Sequence, residues 1–389
     1  MMKKIQMVDL VSQYEKMKPT IDSAILNVIE NAQFINGPEV TGFKAELEQY
    51  LDVKHVIPCA NGTDALQIAL MALGLKAGDE VITPSFTYIA TTEVMALLGL
   101  KPVFIEVNPD TFCIDATKIE AAISSKTKAI VPVHLYGQAA PMNEIMEIAK
   151  RHNLFVIEDN AQAIGCDYQL ADGKTVKTGT IGQIGCTSFF PSKNLGCFGD
   201  GGAIFTNDDE LAVKLKMISN HGQSKQYHHD VVGCNSRLDT IQAAVLRIKL
   251  KELDNYNNAR QKVAEHYDNF FRQFPQIITP ARAERSTHVF HQYTLKLEGL
   301  DRNEMKAFLA EKDIPAMIYY PIPAHRQKMF DVFDSSSTNL PITDWLTEKV
   351  ISLPIHTEMT EEQLNKICST VADFISMKVH VIEKNSQTL

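Results

Sequence analysis

The chain is patterned in two ways, and the change falls near residue 236. Before it, short apolar, β-branched runs recur: "HVIPCA" (55–60), "EVITPS" (80–85), "KPVFIEV" (101–107), "KAIVPVHLYG" (128–137), "FVIEDN" (155–160), "CTSFFP" (186–191) and "GGAIFTN" (201–207). Most are apolar throughout rather than alternating, the pattern of strands buried on both faces. Stretches between them, such as "GTDALQIALMALGL" and "PMNEIMEIAKRHN", carry apolar residues three and four apart, the spacing of one helical face. Pro141 suits a first helical position, where its missing N–H has no partner to lose. Strand and helix in alternation predict an α/β fold, a mostly parallel sheet covered by helices.

From Ser236 onward the pattern is helical for some 40 residues, "SRLDTIQAAVLRIKLKELDNYNNARQKVAEHYDNFFRQF", which predicts one or two long helices with Ser236 as N-cap. There follow "VFHQYTLKLEG", a helix near 302–312, "PAMIYYPIPAH" and a closing helix in "TEEQLNKICSTVADFISM". Thr360 and Gln363 make a capping-box pair there, and Leu364, Ile367, Val371 and Phe374 share one face. The final "EKNSQTL" reads as a frayed tail. These patterns predict a large α/β domain over 1–249 and a smaller α+β domain over 250–389.

Charge narrows the partners. The 47 acidic residues outnumber the 38 basic ones, for a net charge of −9. That argues against nucleic acid or an anionic membrane as partner, while a few local donors would still hold an anionic small molecule. The opening "MMKKIQMVDL" has no apolar stretch of the signal-peptide kind, and no apolar run reaches the ~18 residues of a membrane span. The seven cysteines are odd in number and form no C-x-x-C pair, which fits free thiols in a reducing cytoplasm. His228–His229 and the His288/His291 pair have no ligand set around them, so no metal is expected.

The stretch "TSFFPSKNLGCFGDGGA" (187–203) holds one lysine, Lys193, ahead of four glycines in seven residues. Their spacing is not G-x-G-x-x-G, and a nucleotide P-loop places its lysine after the glycines. The glycines instead give the backbone room beside something bulky, and Lys193 becomes a candidate Schiff-base nucleophile. Pyridoxal 5′-phosphate on such a lysine makes three demands: a carboxylate facing the pyridine nitrogen, amides at a helix start for the phosphate, and a flat ring to stack on. "CANGTDAL" offers the amides of Gly62 and Thr63 with the Thr63 hydroxyl. "VIEDNAQAIG" ends a buried strand in Asp159, with Gln162 near the cofactor's ring hydroxyl. "TPSFTY" offers Phe86 or Tyr88 for stacking, and Ser188 reaches the phosphate. Taken singly, each has a plainer explanation: a turn, a helix cap, a core aromatic, a solvated lysine. Their shared placement at the ends of predicted strands gathers them in one crevice.

Together, "ANGTDAL", "VIEDNAQAIG", "TSFFPSKNLGCFGDGGAIFTND" and "CNSRLDTIQAAVL" resemble the DegT/StrS family of PLP-dependent nucleotide-sugar aminotransferases, over roughly residues 5 to 377. "TSFFPSK", "YHH" (227–229) and "YPIP" (320–323) are most similar to the UDP-2-acetamido-2-deoxy-3-oxo-glucuronate aminotransferases within it. The resemblance implies a fold-type-I transferase with a mainly parallel seven-stranded sheet and a small C-terminal domain. It also implies a homodimer with active sites at the subunit interface. It makes Lys193 the Schiff-base lysine and Asp159 the partner of the pyridine nitrogen. Tyr88 stacks, Gln162 lies by the ring hydroxyl, and Gly62, Thr63 and Ser188 hold the phosphate. Asn235 would reach the phosphate in the neighbouring subunit, and Arg237, Tyr319 and Tyr320 would line the sugar pocket. Related dehydratases carry histidine in place of the lysine, so Lys193 favours transamination.

The implied reaction moves the amino group of L-glutamate to a 3-keto nucleotide sugar. The glucuronate enzymes have histidine before "YPIP", where this chain has Tyr319. A dTDP- or GDP-linked keto-deoxysugar is the alternative substrate, and a PLP-binding regulator without turnover the alternative function.

Overall fold

A computed structural model of the chain describes residues 3–333, 335 and 338–386. All seven apolar runs are strands of one sheet: β1 (His55–Cys59), β2 (Glu80–Pro84), β3 (Lys101–Ile105), β4 (Thr127–Ile130), β5 (Phe155–Asp159), β8 (Ile184–Ser188) and β9 (Gly202–Thr206). The hairpin β6 (Asp167–Gln169) and β7 (Thr175–Lys177) lies outside it. The sheet order is β1-β9-β8-β5-β4-β2-β3. Neighbours from β3 across to β8 pair parallel, and β9 alone runs against both its neighbours. β4 stops at Ile130, well short of the run that predicts it, and Leu135–Gly137 is a 3₁₀ turn. Tyr136 there has φ 59°.

Helices α1 (Leu10–Glu30) and α2 (Pro38–Leu51) precede the sheet. Helices α3 (Gly62–Ala72), α4 (Ala90–Leu97), α5 (Met142–His152) and α6 (Asp209–Ile218) alternate with its strands. Pro141 sits one position before the helix it starts, as the N-cap residue of α5. Apolar residues on both faces of the sheet are buried: Ile82, Ile130 and Val156 on one, Ile57, Val81 and Ile157 on the other. A third cluster joins Phe43 and Leu47 of α2 to Phe189 and Leu195 of the lysine loop. Leu47 is fully buried, so Leu47→Ala would cost about 2–5 kcal/mol by opening a cavity behind that loop.

The hairpin β10 (Gln223–Lys225) and β11 (His228–His229) leads to two helices, α7 (Thr240–Leu250) and α8 (Leu253–Phe271). Ser236 does not cap α7: the helix begins after Asp239. The Ser236 hydroxyl instead accepts the amide of Ala60 at 3.0 Å, tying this segment to the turn after β1. The second half of α8 packs on a separate core with Tyr293, Leu295, Ile351 and Phe374. That core is built from β12 (Ile277–Ile278), β13 (Tyr293–Leu297), α9 (Arg302–Glu311), β14 (Val350–Leu353) and α11 (Glu361–Ser386), whereas Leu346 of α10 (Pro341–Lys349) packs with Ile82 and Ile130 of the large sheet. Strands β12, β13 and β14 form an antiparallel sheet, and Ile5 from the start of the chain joins the same core. The Thr360 capping box forms: the Thr360 amide donates to Gln363 Oε1 at 3.0 Å, and the Gln363 amide to Thr360 Oγ1 at 3.2 Å. Helix α11 runs to Ser386, so the first residues of "EKNSQTL" are helical, while residues 387–389 lie outside the described residues.

Candidate active site

Strands β1, β5 and β8 end on the same edge of the sheet, and β9 starts there. Gly202 of β9 pairs with Cys59 on one side and Ser188 on the other. A side chain on Gly202 would meet the backbone of Asn61 at 2.4 Å. Its absence lets the 61–62 turn fold across β9 until Gly62 nears Ser188, where an added Cβ would lie 2.7 Å from the serine Cβ. The glycines after Lys193 therefore make room for the protein's own atoms: Gly196 packs on the backbone of Pro191, Gly201 on the side chains of Cys197 and Leu238. This corrects the expectation that they clear space for a bulky ligand.

Helix α3 begins at Gly62. Asn61 Oδ1 caps it by accepting the Asp64 amide at 2.8 Å, and the Ala65 amide bonds to the Asn61 carbonyl. The amides of Gly62 and Thr63 have no partner among the described residues. They sit at the positive end of the helix, with the half-buried Ser188 hydroxyl alongside. That hydroxyl accepts the Phe190 amide at 3.2 Å.

Asp159 is the last residue of β5 and is buried. Thr91 Oγ1 donates to its Oδ2 at 2.7 Å and the Ala161 amide to its Oδ1 at 3.1 Å. Lys193 lies within electrostatic reach of it. Burial pushes the Lys193 amine down to about 8, opposed by the attraction of Asp159. Its Nζ donates to no group among the described residues. The next residue is anchored hard: Asn194 Nδ2 donates to Asn257 Oδ1 at 2.7 Å and to the Val289 carbonyl at 2.8 Å.

Gln162 Nε2 donates to the Tyr320 hydroxyl at 3.0 Å, and its Oε1 accepts the Tyr136 amide at 2.7 Å. Tyr136 in turn donates its hydroxyl to the Tyr319 carbonyl. Phe86 is core, stacked on Phe112 at 6.0 Å and fully buried. Tyr88 is 56% exposed and leans on Tyr320 at 6.0 Å, so of the two stacking candidates only Tyr88 offers a free ring. Arg237 is half-buried and forms no hydrogen bond or ion pair among the described residues. Asn235 is exposed. The structure thus gathers Lys193, Asp159, Gln162, Tyr88 and Tyr320 on one side, and Gly62, Thr63 and Ser188 at the adjoining helix start. It leaves Asn235 facing outward.

Several site residues were missed from the sequence. Thr91 holds Asp159 from the first turn of α4. Behind Asp159, Glu158 is fully buried and accepts the amides of Gly179, Ile181 and Gly182 at 2.6–2.8 Å. His134 Nε2 donates to it at 2.8 Å, since His134 Nδ1 already accepts the Ala140 amide. A glutamate inside an otherwise apolar strand was the available signal, because a buried charge must find donors. His291 is also buried beside Lys193, and its imidazole is held well below its usual value by burial, Lys193 and Arg260. Among the described residues no group of three or more His, Cys, Asp or Glu is placed to hold a metal, and no helix is long and apolar enough to cross a membrane.

A lysine and a carboxylate at the carboxyl ends of a mainly parallel seven-stranded sheet, beside a bare helix start, have the architecture of the fold-type-I transferases. Comparison with known proteins narrows that class. The sequence pattern of the DegT/DnrJ/EryC1/StrS aminotransferase family matches residues 15–372, and the chain belongs to that family. It is 45% identical over 372 residues to the "pleiotropic regulatory protein" of Geobacillus stearothermophilus, across 95% of this chain and 98% of that one. It is also 45% identical over 369 residues to the UDP-2-acetamido-2-deoxy-3-oxo-D-glucuronate aminotransferase of Pseudomonas aeruginosa, across 95% and 100%. Over 371 residues it is 44% identical to the UDP-N-acetyl-3-dehydro-alpha-D-glucosamine 3-aminotransferase of Acidithiobacillus ferrooxidans, across 94% and 97%. Among solved structures, NtdA from Bacillus subtilis with bound cofactor PMP is similar, with TM-score 0.88 and 32% identity over 97% of this chain and 86% of that one. The chain is an aminotransferase.

Proposed function

We propose that this aminotransferase moves the amino group of L-glutamate to a UDP-linked 3-keto N-acetylhexosamine, with pyridoxal 5′-phosphate as cofactor, for bacterial surface polysaccharide. Lys193 carries the proposal: it is a desolvated amine with no hydrogen-bond partner among the described residues, beside the buried carboxylate of Asp159.

The residues present fit the cofactor. The unpartnered amides of Gly62 and Thr63, with the hydroxyls of Thr63 and Ser188, would hold its phosphate at a helix start. Asp159, steadied by Thr91 and the Ala161 amide, would keep the pyridine nitrogen protonated. Gln162 would lie by the ring hydroxyl and Tyr88 on the ring face. The cofactor, when bound, supplies the electron sink for the donor's α-carbon.

This chain's own residues do the rest. Lys193, once its amine is free, would take the proton from the donor's α-carbon as general base and would deliver it as general acid to C4′ of the cofactor. A value near 8 suits both tasks, because neither form is scarce close to neutral pH. Arg237 has donors to spare and would meet an anionic group of donor or sugar in bidentate fashion. Tyr319 and Tyr320 would line the sugar pocket. A neutral phenol at 319, in place of the histidine of the glucuronate enzymes, offers less to a sugar carboxylate, so uronate and neutral sugars both belong in the test.

The active unit we propose is a homodimer in the cytoplasm. Its support is exposed apolar side chains: Val11 is 67% exposed, Ile35 51% and Phe190 52%. A second copy would cover such side chains and bring its exposed Asn235 to the phosphate. All seven cysteines are free, as in a reducing compartment.

The deciding experiment is a panel of UDP-, dTDP- and GDP-linked keto sugars assayed with L-glutamate. Turnover confined to UDP sugars supports the proposal; turnover confined to dTDP or GDP sugars replaces it. Binding of the cofactor without glutamate-driven loss of its visible band would instead make the chain a regulator, as the name of the Geobacillus relative suggests for that protein. Mixing Lys193→Ala with Asn235→Ala protein tests the shared site: activity should return, because one of the two sites in a mixed dimer is intact.

A further inference from the structure

The two aromatic walls of the site come from segments more than 200 residues apart. One follows β2 and carries Phe86 and Tyr88. The other carries Tyr319 and Tyr320, ahead of a 3₁₀ turn at Ala324–Arg326. Their rings meet: Tyr88 and Phe86 lie 6.0 and 6.3 Å from Tyr320. Tyr88, 56% exposed, is not held in place by that contact alone.

The spacing is set just behind them. Ser85 and His325 are both fully buried. The Ser85 carbonyl accepts the Ala324 amide at 2.9 Å, and Ser85 Oγ accepts the His325 amide at 3.0 Å. An amide can only donate, so the serine proton is free for His325 Nδ1, 2.7 Å away. One hydroxyl is thus gripped by both the backbone and the ring of one histidine. That assigns the imidazole tautomer: Nδ1 accepts, and the ring proton sits on Nε2, 3.3 Å from Asp344 Oδ1. Asp344 is itself held by Arg326 Nη2 at 2.8 Å. Buried this deep, the serine hydroxyl has no access to a substrate.

We propose that Ser85 and His325 are positioning residues, a lock that holds the Tyr88 wall against the Tyr319–Tyr320 wall and so sets the width of the sugar pocket. This rests on the aminotransferase reading of the site. A wide acceptor such as a nucleotide sugar touches both walls, whereas a small amino acid donor reacts at Lys193. Loosening the lock should therefore separate the two half-reactions.

The test uses Ser85→Ala and His325→Leu, which break the grip, and His325→Asn, whose amide oxygen can replace Nδ1 as acceptor. Hydrogen exchange on the purified full-length protein reads the lock directly. The amides of Ala324 and His325 should exchange faster in the two breaking variants and near the wild-type rate in His325→Asn. The half-reactions read its purpose. KM for the keto sugar should rise on the order of 10-fold in the breaking variants, while the glutamate half-reaction stays within about 2-fold. Unchanged exchange in Ser85→Ala overturns the lock, whatever the activity. Faster exchange with equal losses in both half-reactions, or with none, overturns the positioning role. A wild type that aminates no keto sugar would sink the proposed function instead, and the exchange data would still judge the lock.

Discussion

Two lysines lie on either side of the glycine-rich loop, and they differ in one respect. Lys193 stands at the start of the loop and Lys249 on α7 beneath it. Burial pushes both amines down to about 8. Lys249, 2% exposed, donates to the Gly196 carbonyl at 2.9 Å and lies over the Phe198 ring at 4.8 Å. Lys193 donates to no group among the described residues. A lowered pKa therefore does not single out the nucleophile, since desolvation acts on any buried amine. What distinguishes Lys193 is that its neighbours hold the chain on both sides of it and leave its amine free. Lys249 is part of that holding, because it fixes the carbonyl three residues further on.

The sharpest way to break the comparison is to remove each amine. Lys193→Ala should lose amino transfer by on the order of 10³-fold or more, together with the visible band of bound cofactor. Lys249→Met should keep the band and most of the turnover. Equal losses in the two, followed by absorbance and single-turnover kinetics, would mean that the free and the bonded lysine share one function.

Stability should run the other way. Lys249→Met leaves the Gly196 carbonyl unpaired and should lower stability by about 1–3 kcal/mol in denaturant melts. Lys193→Met in cofactor-free protein removes a desolvated amine that has no partner among the described residues and should be neutral or stabilising.

The third prediction concerns pH. Attachment of the cofactor to apoprotein needs the neutral Lys193 amine. Its rate, followed by absorbance, should fall about 10-fold per pH unit below a midpoint near 8. A midpoint close to 10.5 would show an amine that is not desolvated. The smallest effect is expected at Asp159: Thr91→Val removes one of its two hydrogen bonds and should weaken cofactor retention by about 1 kcal/mol, read by equilibrium dialysis.

The strands were legible because their residues are buried on both faces, which leaves long apolar runs in the sequence. Lys193, Asp159 and the Asn61–Thr63 turn could be singled out as site candidates for a related reason: polar residues stand out where such runs end. The glycines were misread. Their spacing signals close approach but not of what, and only the pairing of Gly202 with both Cys59 and Ser188 shows that it is the chain itself. Ser236 was misread for the same reason, since a serine before a helical pattern looks like a cap until the distant amide of Ala60 claims it.

Local order along the chain, then, is enough to name the sheet, the helices that cover it and the residues we propose for the chemistry, because burial periodicity and strand-end polarity are properties of neighbours in sequence. Which lysine is free, which aromatic ring is open, and what holds the two walls of the pocket apart are decided by partners 50 to 240 residues away. Gly196 with Lys249, Gln162 with Tyr320 and Ser85 with His325 meet only once the sheet has formed. A hydrogen bond depends on where two groups end up, and no single stretch of sequence contains both of them.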